Sequence, residues 1–158
     1  MDAPERRRLP ILLRRAWYGL NKTFRRRIAH TGVTPDQFTA MRTLLEDEGE
    51  GLTQSELTKR MASDPNTIAS LVERMEKSGL LRRERHEKDR RAYRLLLKPA
   101  GKRKYEEVRE IAVTLQTEIL SALPKDKHEG FLIELAAVGD ACVGANGKFP
   151  KAMRSVDS

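Results

Sequence analysis

Arginine side chains are concentrated in one short stretch, RRERHEKDRRAYRLLL, which runs from Arg82 to Leu97. The guanidinium group offers a planar fork of N–H donors that suits phosphate oxygens and the edges of bases. The second half of the stretch is apolar at every other residue, which is the period of a strand with one buried face. We therefore predict a β-hairpin that carries Arg90 and Arg91 near its tip, where Asp89 bonds the turn amides or Arg91. The residues that would anchor this turn to the core are Tyr93, Leu95 and Leu97.

A second set of polar side chains falls on one face of a predicted helix from Pro65 to Ser78. The predicted buried face of this helix consists of Ile68, Leu71, Val72 and Met75. On the other face, Asn66, Thr67 and Ser70 are small enough to let the helix sit deep in the major groove of DNA. Arg74 has the reach for a guanine or a phosphate. An ordinary solvated helix face is the alternative reading of the same pattern.

Capping residues in the sequence predict that a shorter helix comes directly before this one. In LTQSEL, Thr53 can cap a helix and Glu56 can close the capping box, and VTPDQF repeats the signature one helix earlier with Thr34 and Gln37. The helix after Thr53 should end near Ala62. The next begins at Pro65 with Asp64 as its cap and stops at Gly79. Two capped helices joined by about three residues form a helix-turn-helix, and the hairpin that follows would be its wing.

Long amphipathic helices are predicted on both sides of this region, from Leu9 to about His30, from Pro99 to a break at Pro124, and from Asp126 to Val143. They are more apolar than one winged domain can cover, so we expect a symmetric dimer. The residues predicted to form its interface are Leu13, Leu20, Val108, Leu115, Ile119, Leu132 and Leu135.

The predicted fold is mostly α with a small β wing. Residues 33–98 would form the winged helix-turn-helix, and residues 1–30 and 100–143 the helical dimerisation region. Residues 144–158 would be a flexible tail, with one compact domain overall.

The charge is strongly basic and unevenly placed. The chain of 158 residues has a formal net charge of +8. Residues 1–30 carry nine basic and two acidic groups, and residues 81–98 carry eight and three. Two short basic blocks suit a surface that binds a polyanion, although solubility charge gives the same total. No apolar run approaches the roughly 20 residues that span a bilayer, and we expect a cytoplasmic protein.

Other kinds of chemistry lack the necessary residues. Cys142 is the one cysteine, and the three histidines show no metal-ligand spacing, so no metal site is expected. We find no Gly-rich phosphate loop and no nucleophile elbow, so we expect neither an enzyme nor a cofactor.

The segment from Leu52 to Arg103 resembles the DNA-binding core of the MarR (multiple antibiotic resistance regulator) family. The most specific element is DRR with the strand and PAG after it, from Asp89 to Gly101, which matches the family's wing motif. VTPDQFTAMRTLL and the flanking helices extend the likeness to about residue 143. The resemblance implies a homodimeric winged-helix transcription regulator, expected to be a repressor, that binds a pseudo-palindromic site.

The resemblance also implies roles for individual residues. Asp89 would organise the wing, Arg91 would enter the minor groove, and the Pro65–Arg74 segment would lie in the major groove. The full set expected to contact DNA is Thr53, Gln54, Ser55, Pro65, Asn66, Thr67, Ser70, Arg74, Lys88, Arg90 and Arg91.

Many members of the family release DNA when a small aromatic acid or phenolic compound binds. The side chains that could line such a crevice here are Trp17, Tyr18, His30 and Met41. The alternative is that Trp17 belongs to the core and His30 to a helix C-terminus.

Two further functions compete with DNA recognition. A winged helix can act as a protein-interaction module in which the basic wing meets an acidic partner. RNA binding is the other, but the aromatic platforms that stack single-stranded bases are missing from a chain with one Trp, three Tyr and four Phe.

Overall fold

The computed structural model describes residues 7–47, 50–88 and 92–145. Single 3₁₀ turns at Ala29–Thr31 and Lys125–Lys127 follow the first helix and precede the last one. The predicted fold class is confirmed, because the chain is mostly helical with one small antiparallel sheet. The longer elements are α1 (Leu9–Ile28), α2 (Pro35–Glu46), β1 (Leu52–Thr53), α3 (Gln54–Arg60), α4 (Pro65–Lys77), β2 (Leu81–Arg85), β3 (Tyr93–Leu97), α5 (Pro99–Leu120) and α6 (His128–Gly144).

Reciprocal capping boxes begin α2 and α3, as the sequence predicts. The Thr34 hydroxyl accepts from the Gln37 amide at 3.2 Å, and the Gln37 side chain accepts from the Thr34 amide at 3.2 Å. At α3, the Thr53 hydroxyl accepts from the Glu56 amide at 3.2 Å, and the Glu56 carboxylate accepts from the Thr53 amide at 2.9 Å. Each pair satisfies backbone donors that the first turn of a helix leaves without partners.

The start and end of α4 are set by single residues. Asp64 caps the helix and Pro65 occupies its first position, while Gly79 follows the last turn at φ 73°. This left-handed backbone lets the Leu80 amide donate to the Met75 carbonyl at 2.9 Å and close the helix end.

A buried threonine turns the chain between α1 and α2. The Thr31 hydroxyl donates to the Ile28 carbonyl at 2.6 Å and accepts from the Val33 amide at 3.1 Å. Gly32 follows in the left-handed region at φ 77°. The α-helix therefore ends two residues before the predicted boundary at His30, and a 3₁₀ turn completes the segment.

The sheet has three antiparallel strands in the order β1-β3-β2. β2 and β3 pair along their full length, from Leu81 opposite Leu97 to Arg85 opposite Tyr93. β1 adds two residues on the other side of β3, with Leu52 opposite Leu95. This short strand was not predicted, because two residues are too few for a periodic pattern.

Gly101 explains the PAG sequence that opens α5. A Cβ built at this glycine would collide with the carbonyl oxygen of Leu80. The same carbonyl accepts from the Lys98 amide at 2.9 Å. Glycine, which has no side chain, is therefore needed at position 101, because the start of α5 packs against the backbone of Leu80.

The chain divides into two compact units, residues 1–114 and residues 115–158. The first unit has one hydrophobic core that takes residues from both flanking helices, including Ile28 of α1 and Val108 of α5, each fully buried. The Phe38 ring in α2 packs between Phe24 and Tyr105, with ring centroids 5.5 Å and 5.4 Å apart. The core of the first unit therefore takes residues from both sides of the predicted boundaries at residues 30 and 100.

The second unit consists of the end of α5, the 3₁₀ turn and α6. His128 begins α6, and its Nε2 lies 2.9 Å from the Leu123 carbonyl. None of the described residues of α6 is buried. Its exposed apolar side chains include Phe131, Leu132, Ile133, Leu135 and Val143.

Across the ranges that the structure describes, every helix is too short or too polar to cross a membrane.

Candidate DNA-binding surface

α4 has one buried face and one exposed polar face. Ile68, Leu71, Val72 and Met75 are all at most 4% exposed, which confirms the predicted core side of the helix. The predicted contact residues on the opposite side are all exposed, namely Pro65, Asn66, Thr67, Ser70 and Arg74. Glu73 and Lys77 share this surface and form an ion pair at 3.1 Å.

The first turn of α4 is organised by Asp64. Its carboxylate accepts from the Thr67 amide at 2.9 Å and from the Thr67 hydroxyl at 2.6 Å. These bonds hold the pKa of Asp64 below its usual range, with the side-chain bond from Thr67 as the largest cause. The hydroxyl proton of Thr67 is therefore committed to Asp64, while its methyl group remains available for apolar contact. Asn66 is exposed beside it.

Arg74 lies at the edge of the exposed face. Its Nε donates to the Ser70 carbonyl at 3.3 Å. Arg74 also lines an open groove of about 490 Å³ together with Arg25 of α1 and Asp36 of α2. Leu71 and Val33 are among the other residues that line the groove. Arg74 therefore connects the surface of α4 with the junction between α1 and α2.

The three residues at the start of α3 that we expect to contact DNA differ in how available their side chains are. Ser55 is exposed on the first turn. Thr53 is occupied as the helix cap, as described above. The Gln54 side-chain oxygen accepts from Nη1 of Arg83 at 2.9 Å. Of these three residues, Ser55 is thus the one whose side chain is exposed and takes no part in the capping box or the Arg83 contact.

The wing is a paired hairpin up to the edge of the described residues. Beyond β2 and β3, the His86 amide donates to the Ala92 carbonyl at 3.0 Å. Lys88 is exposed, and its amide donates to Nδ1 of His86 at 3.2 Å. The predicted tip residues Asp89, Arg90 and Arg91 lie outside the described residues.

The anchor of the hairpin differs from the prediction at one residue. Leu95 is 1% exposed and Leu97 is packed against the core, but Tyr93 is 43% exposed. Tyr93 pairs with Arg85 at the far end of the ladder, where the strands have run past the core. The prediction that Tyr93 is buried is therefore wrong, and Leu95 is the fully buried anchor.

Two arginines of the hairpin contact other parts of the chain, one a helix and the other the loop before β1. Nε of Arg83 donates to the Glu76 carboxylate of α4 at 3.1 Å. Nη1 of Arg94 donates to the Glu50 carbonyl, before β1, at 3.3 Å. Sequence reasoning missed these contacts, although Arg83 alternates with Leu81 and so falls on the core side of β2.

The four residues proposed to line an effector crevice do not have a common environment. Met41 is fully buried in the core of the first unit, because it lies on the inner face of α2. Trp17 and Tyr18 are 63% and 66% exposed, so the alternative that Trp17 belongs to the core is wrong for the single chain. His30 is exposed in the 3₁₀ turn. Tyr18 lines a surface groove of about 390 Å³ along α1, where the Lys22 ammonium lies 5.8 Å from its ring centroid.

The predicted interface residues fall into three groups by exposure. Val108 and Leu115 are 0% and 3% exposed, so neither side chain has surface left for a second chain. Leu13 is half-buried. The remaining four are 39% to 46% exposed, namely Leu20, Ile119, Leu132 and Leu135.

Comparison with known proteins identifies relatives of this chain. The model of the MarR family matches residues 31–92. A protein of Thauera aromatica, described as a transcriptional regulatory protein for the hcr operon, is 34% identical over 124 residues. That alignment covers 78% of this chain and 73% of the relative.

Two solved structures have a similar fold. The transcriptional repressor CouR, bound to a 23-mer DNA duplex, aligns with a TM-score of 0.77 at 24% identity, over 84% of this chain and 92% of CouR. The organohalide-sensing regulator RdhR-CbdbA1625, in its 2,4-dichlorophenol-bound form, aligns with a TM-score of 0.77 at 17% identity, over 94% of this chain and 89% of the other.

Proposed function

The chain belongs to the MarR family of transcriptional regulators, which are not enzymes, and on that premise we propose that it is a homodimeric repressor. It acts in the cytoplasm and binds a pseudo-palindromic site in double-stranded DNA. A small aromatic acid or phenolic compound releases it from that site.

The observation that carries this proposal is the exposed face of α4. Asn66, Ser70 and the Thr67 methyl group form a surface of small polar and apolar groups that can approach base edges closely. An asparagine can make two bonds to an adenine, and a methyl group can pack against that of thymine. In our proposal α4 is the recognition helix, and Arg74 at its edge contacts a guanine or a phosphate.

The hairpin supplies the second contact. Its strands pair as far as His86 and Ala92, and the turn residues Asp89, Arg90 and Arg91 lie outside the described residues. We assign Arg91 to the minor groove, where the potential of DNA is most negative, and Lys88 and Arg90 to phosphates. Asp89 organises the turn. The family motif implies the roles of Asp89 and Arg91.

Homodimer formation is supported by the apolar surface of the single chain. α6 exposes five large apolar side chains, and α1 exposes others, including Leu9, Ile11, Leu12 and Leu20. Soluble monomers rarely leave so many large apolar groups in water on two helices. A second copy would cover them and place two recognition helices about one turn of DNA apart.

The groove beside Arg74 is our candidate effector site. Arg25 and Arg74 line it with two guanidinium groups beside the single carboxylate of Asp36, so its charge is mainly cationic. Leu71 and Val33 add apolar surface. A small aromatic acid needs this combination of cationic and apolar groups. Because Arg74 also belongs to the DNA-binding surface, a carboxylate that binds it would compete with DNA.

The proposal is tested by selecting bound duplexes from a random-sequence pool with the full-length chain. We expect one enriched site with two related half-sites, and a steep loss of affinity with salt because phosphates are neutralised. Arg91→Ala should weaken binding to this site while the dimer stays folded, whereas Arg109→Ala, at an exposed position on α5, should not.

A protein-interaction module would give a different result. It would enrich no sequence, and its affinity for duplex DNA would be the same for every member of the pool. That outcome would contradict the proposed function and favour the alternative.

The effector is tested on the selected duplex by adding benzoate, hydroxybenzoates and chlorophenols. At least one should release the protein, and Arg25→Ala should reduce this release without lowering affinity for DNA. Release that is unchanged in Arg25→Ala would place the effector site elsewhere.

A further inference from the structure

Arg83 joins the three parts of the winged helix-turn-helix. It lies in the middle of β2, and its Nε donates to the Glu76 carboxylate at 3.1 Å. Its Nη1 donates to the side-chain oxygen of Gln54 at 2.9 Å. Gln54 is the first residue of α3, and Glu76 is the last residue but one of α4. One side chain thus contacts both helices and the wing.

The direction of Arg83 follows from strand alternation. Leu81 is 1% exposed, and residues two apart on a strand share a face, so Arg83 points toward the core side of the sheet. Its cross-strand partner Leu95 is buried on the same side. Arg82 and Glu84 fall on the opposite face, where they form an ion pair with each other.

The geometry restrains the wing more strongly than two separate bonds would. Both bonds of Arg83 come from one rigid guanidinium plane, so rotation of β2 relative to α4 would break at least one of them. The Arg83 side chain is 33% exposed and that of Glu76 is 41% exposed, so both are partly shielded from water. The bond to Gln54 also holds the start of α3 in the same assembly.

We propose that Arg83 is a positioning residue for DNA recognition. It fixes the angle between the hairpin and α4, so that the major-groove and minor-groove contacts meet the duplex together. Gln54 and Glu76 act with it and do not read bases. This inference rests on the proposed function, because it concerns the same DNA-binding surface.

A direct contact between Arg83 and a phosphate is the competing role, and the two roles predict opposite results for Glu76. A positioning role requires the carboxylate, so Glu76→Ala should weaken binding to the selected duplex about as much as Arg83→Lys does. A phosphate contact does not need it, and removal of Glu76 would then leave affinity unchanged or increase it. Lysine keeps the charge but loses the fork, so Arg83→Lys would nearly preserve a phosphate contact.

The test measures fluorescence anisotropy of a labelled duplex of about 30 base pairs carrying the selected site, long enough for two half-sites a helical turn apart. We expect each single variant to bind the duplex on the order of tenfold more weakly. The variant with both changes should bind only slightly more weakly than either, because Glu76 and Arg83 act through the same ion pair. In Arg83→Ala, which removes the charge, the slope of log affinity against log salt should stay unchanged, whereas a lost phosphate contact would reduce it by about 0.9. Arg82→Lys, on the opposite face of β2, is the matched control.

A second arm exchanges the charges, with Glu76→Arg and Arg83→Glu combined. Partial recovery of affinity relative to either single change supports an ion pair that acts through geometry. The Arg91→Ala change completes the comparison, because its cost should shrink in the Arg83→Lys background when the wing is no longer aligned.

Amide hydrogen exchange is measured without DNA, so this part of the test does not depend on knowing the operator. Peptides that cover β2 and β3 should exchange faster in Glu76→Ala and Arg83→Lys than in Arg82→Lys. Unchanged exchange, or a wild-type affinity in both variants, overturns the positioning role alone. A wild-type protein that enriches no duplex overturns the proposed function, and the positioning role with it.

Discussion

At the scale of single residues, the helix-turn-helix and the wing are held both by contacts between near neighbours and by contacts between residues far apart in the sequence. The capping boxes and the Asp64 cap join residues three positions apart, so the local pattern was sufficient to identify them. Arg83 and Gln54 are separated by 29 positions, and their contact depends on how the sheet packs on the helices. The local pattern therefore does not show that the side chain of Gln54, an expected DNA contact, has an internal partner.

The residue-scale prediction for recognition concerns Asn66. We expect Asn66→Ala to cost about 1–3 kcal/mol on the selected site and less on random duplex DNA, since a base contact depends on sequence. Arg74→Ala should behave in the same way if it reads a guanine. Anisotropy on both duplexes measures the difference, and Gln116→Ala, an exposed amide on α5, serves as the control. Equal losses on the two duplexes would reassign these residues to the phosphate backbone.

A second residue-scale prediction concerns Asp64 and pH. Because folding lowers the pKa of this carboxyl, it stabilises the fold above the unfolded pKa of about 3.9, and this contribution is lost as pH falls through the folded value. Asp64→Asn keeps a capping side chain but does not titrate. The Tm difference between wild type and Asp64→Asn should therefore shift against the wild type below about pH 4. A difference that is constant from neutral to acid pH would contradict this assignment.

At the scale of elements, periodicity identified the helices and the two long strands but not where each one meets the core. β1 is not predicted, because two residues are too few to show a period. Alternation predicts that Tyr93 is buried, but it does not show where a strand extends beyond the core. Gly101 is an element-scale feature that the family motif contains and the structure explains, since the start of α5 touches the Leu80 carbonyl.

The element-scale prediction follows from that contact. Gly101→Ala should destabilise the fold by about 1–3 kcal/mol, because the added methyl group forces α5 away from the backbone of Leu80. Gly130→Ala in α6 is the matched control, since a Cβ there meets nothing within 4 Å and alanine favours a helix. Urea denaturation of the two variants should move the midpoints in opposite directions. A midpoint for Gly101→Ala at or above that of the wild type would show that the start of α5 is free to shift.

At the scale of the whole molecule, the apolar stripes on α1 and α5 could not be assigned from sequence to a core or an interface. Both uses give the same helical spacing. The structure shows that Ile28 and Val108 belong to the core of the first unit, while Leu20 and Ile119 remain exposed. The sequence therefore predicted surplus apolar surface, and the structure shows which residues provide it.

The exposed apolar side chains of α6 lead to a prediction about the oligomeric state. If α6 packs against a second copy, Leu135→Lys should place a charge in an apolar interface and shift the protein from dimer to monomer at micromolar concentration. Sedimentation should show a wild-type mass twice that of the chain, and Glu134→Lys, at the neighbouring exposed position, should keep it. Two half-sites are bound together only by a dimer, so Leu135→Lys should also lose affinity for the full site while its affinity for a single half-site is preserved. A wild-type monomer under these conditions would refute the homodimer and would leave the exposed surface of α6 to a different partner.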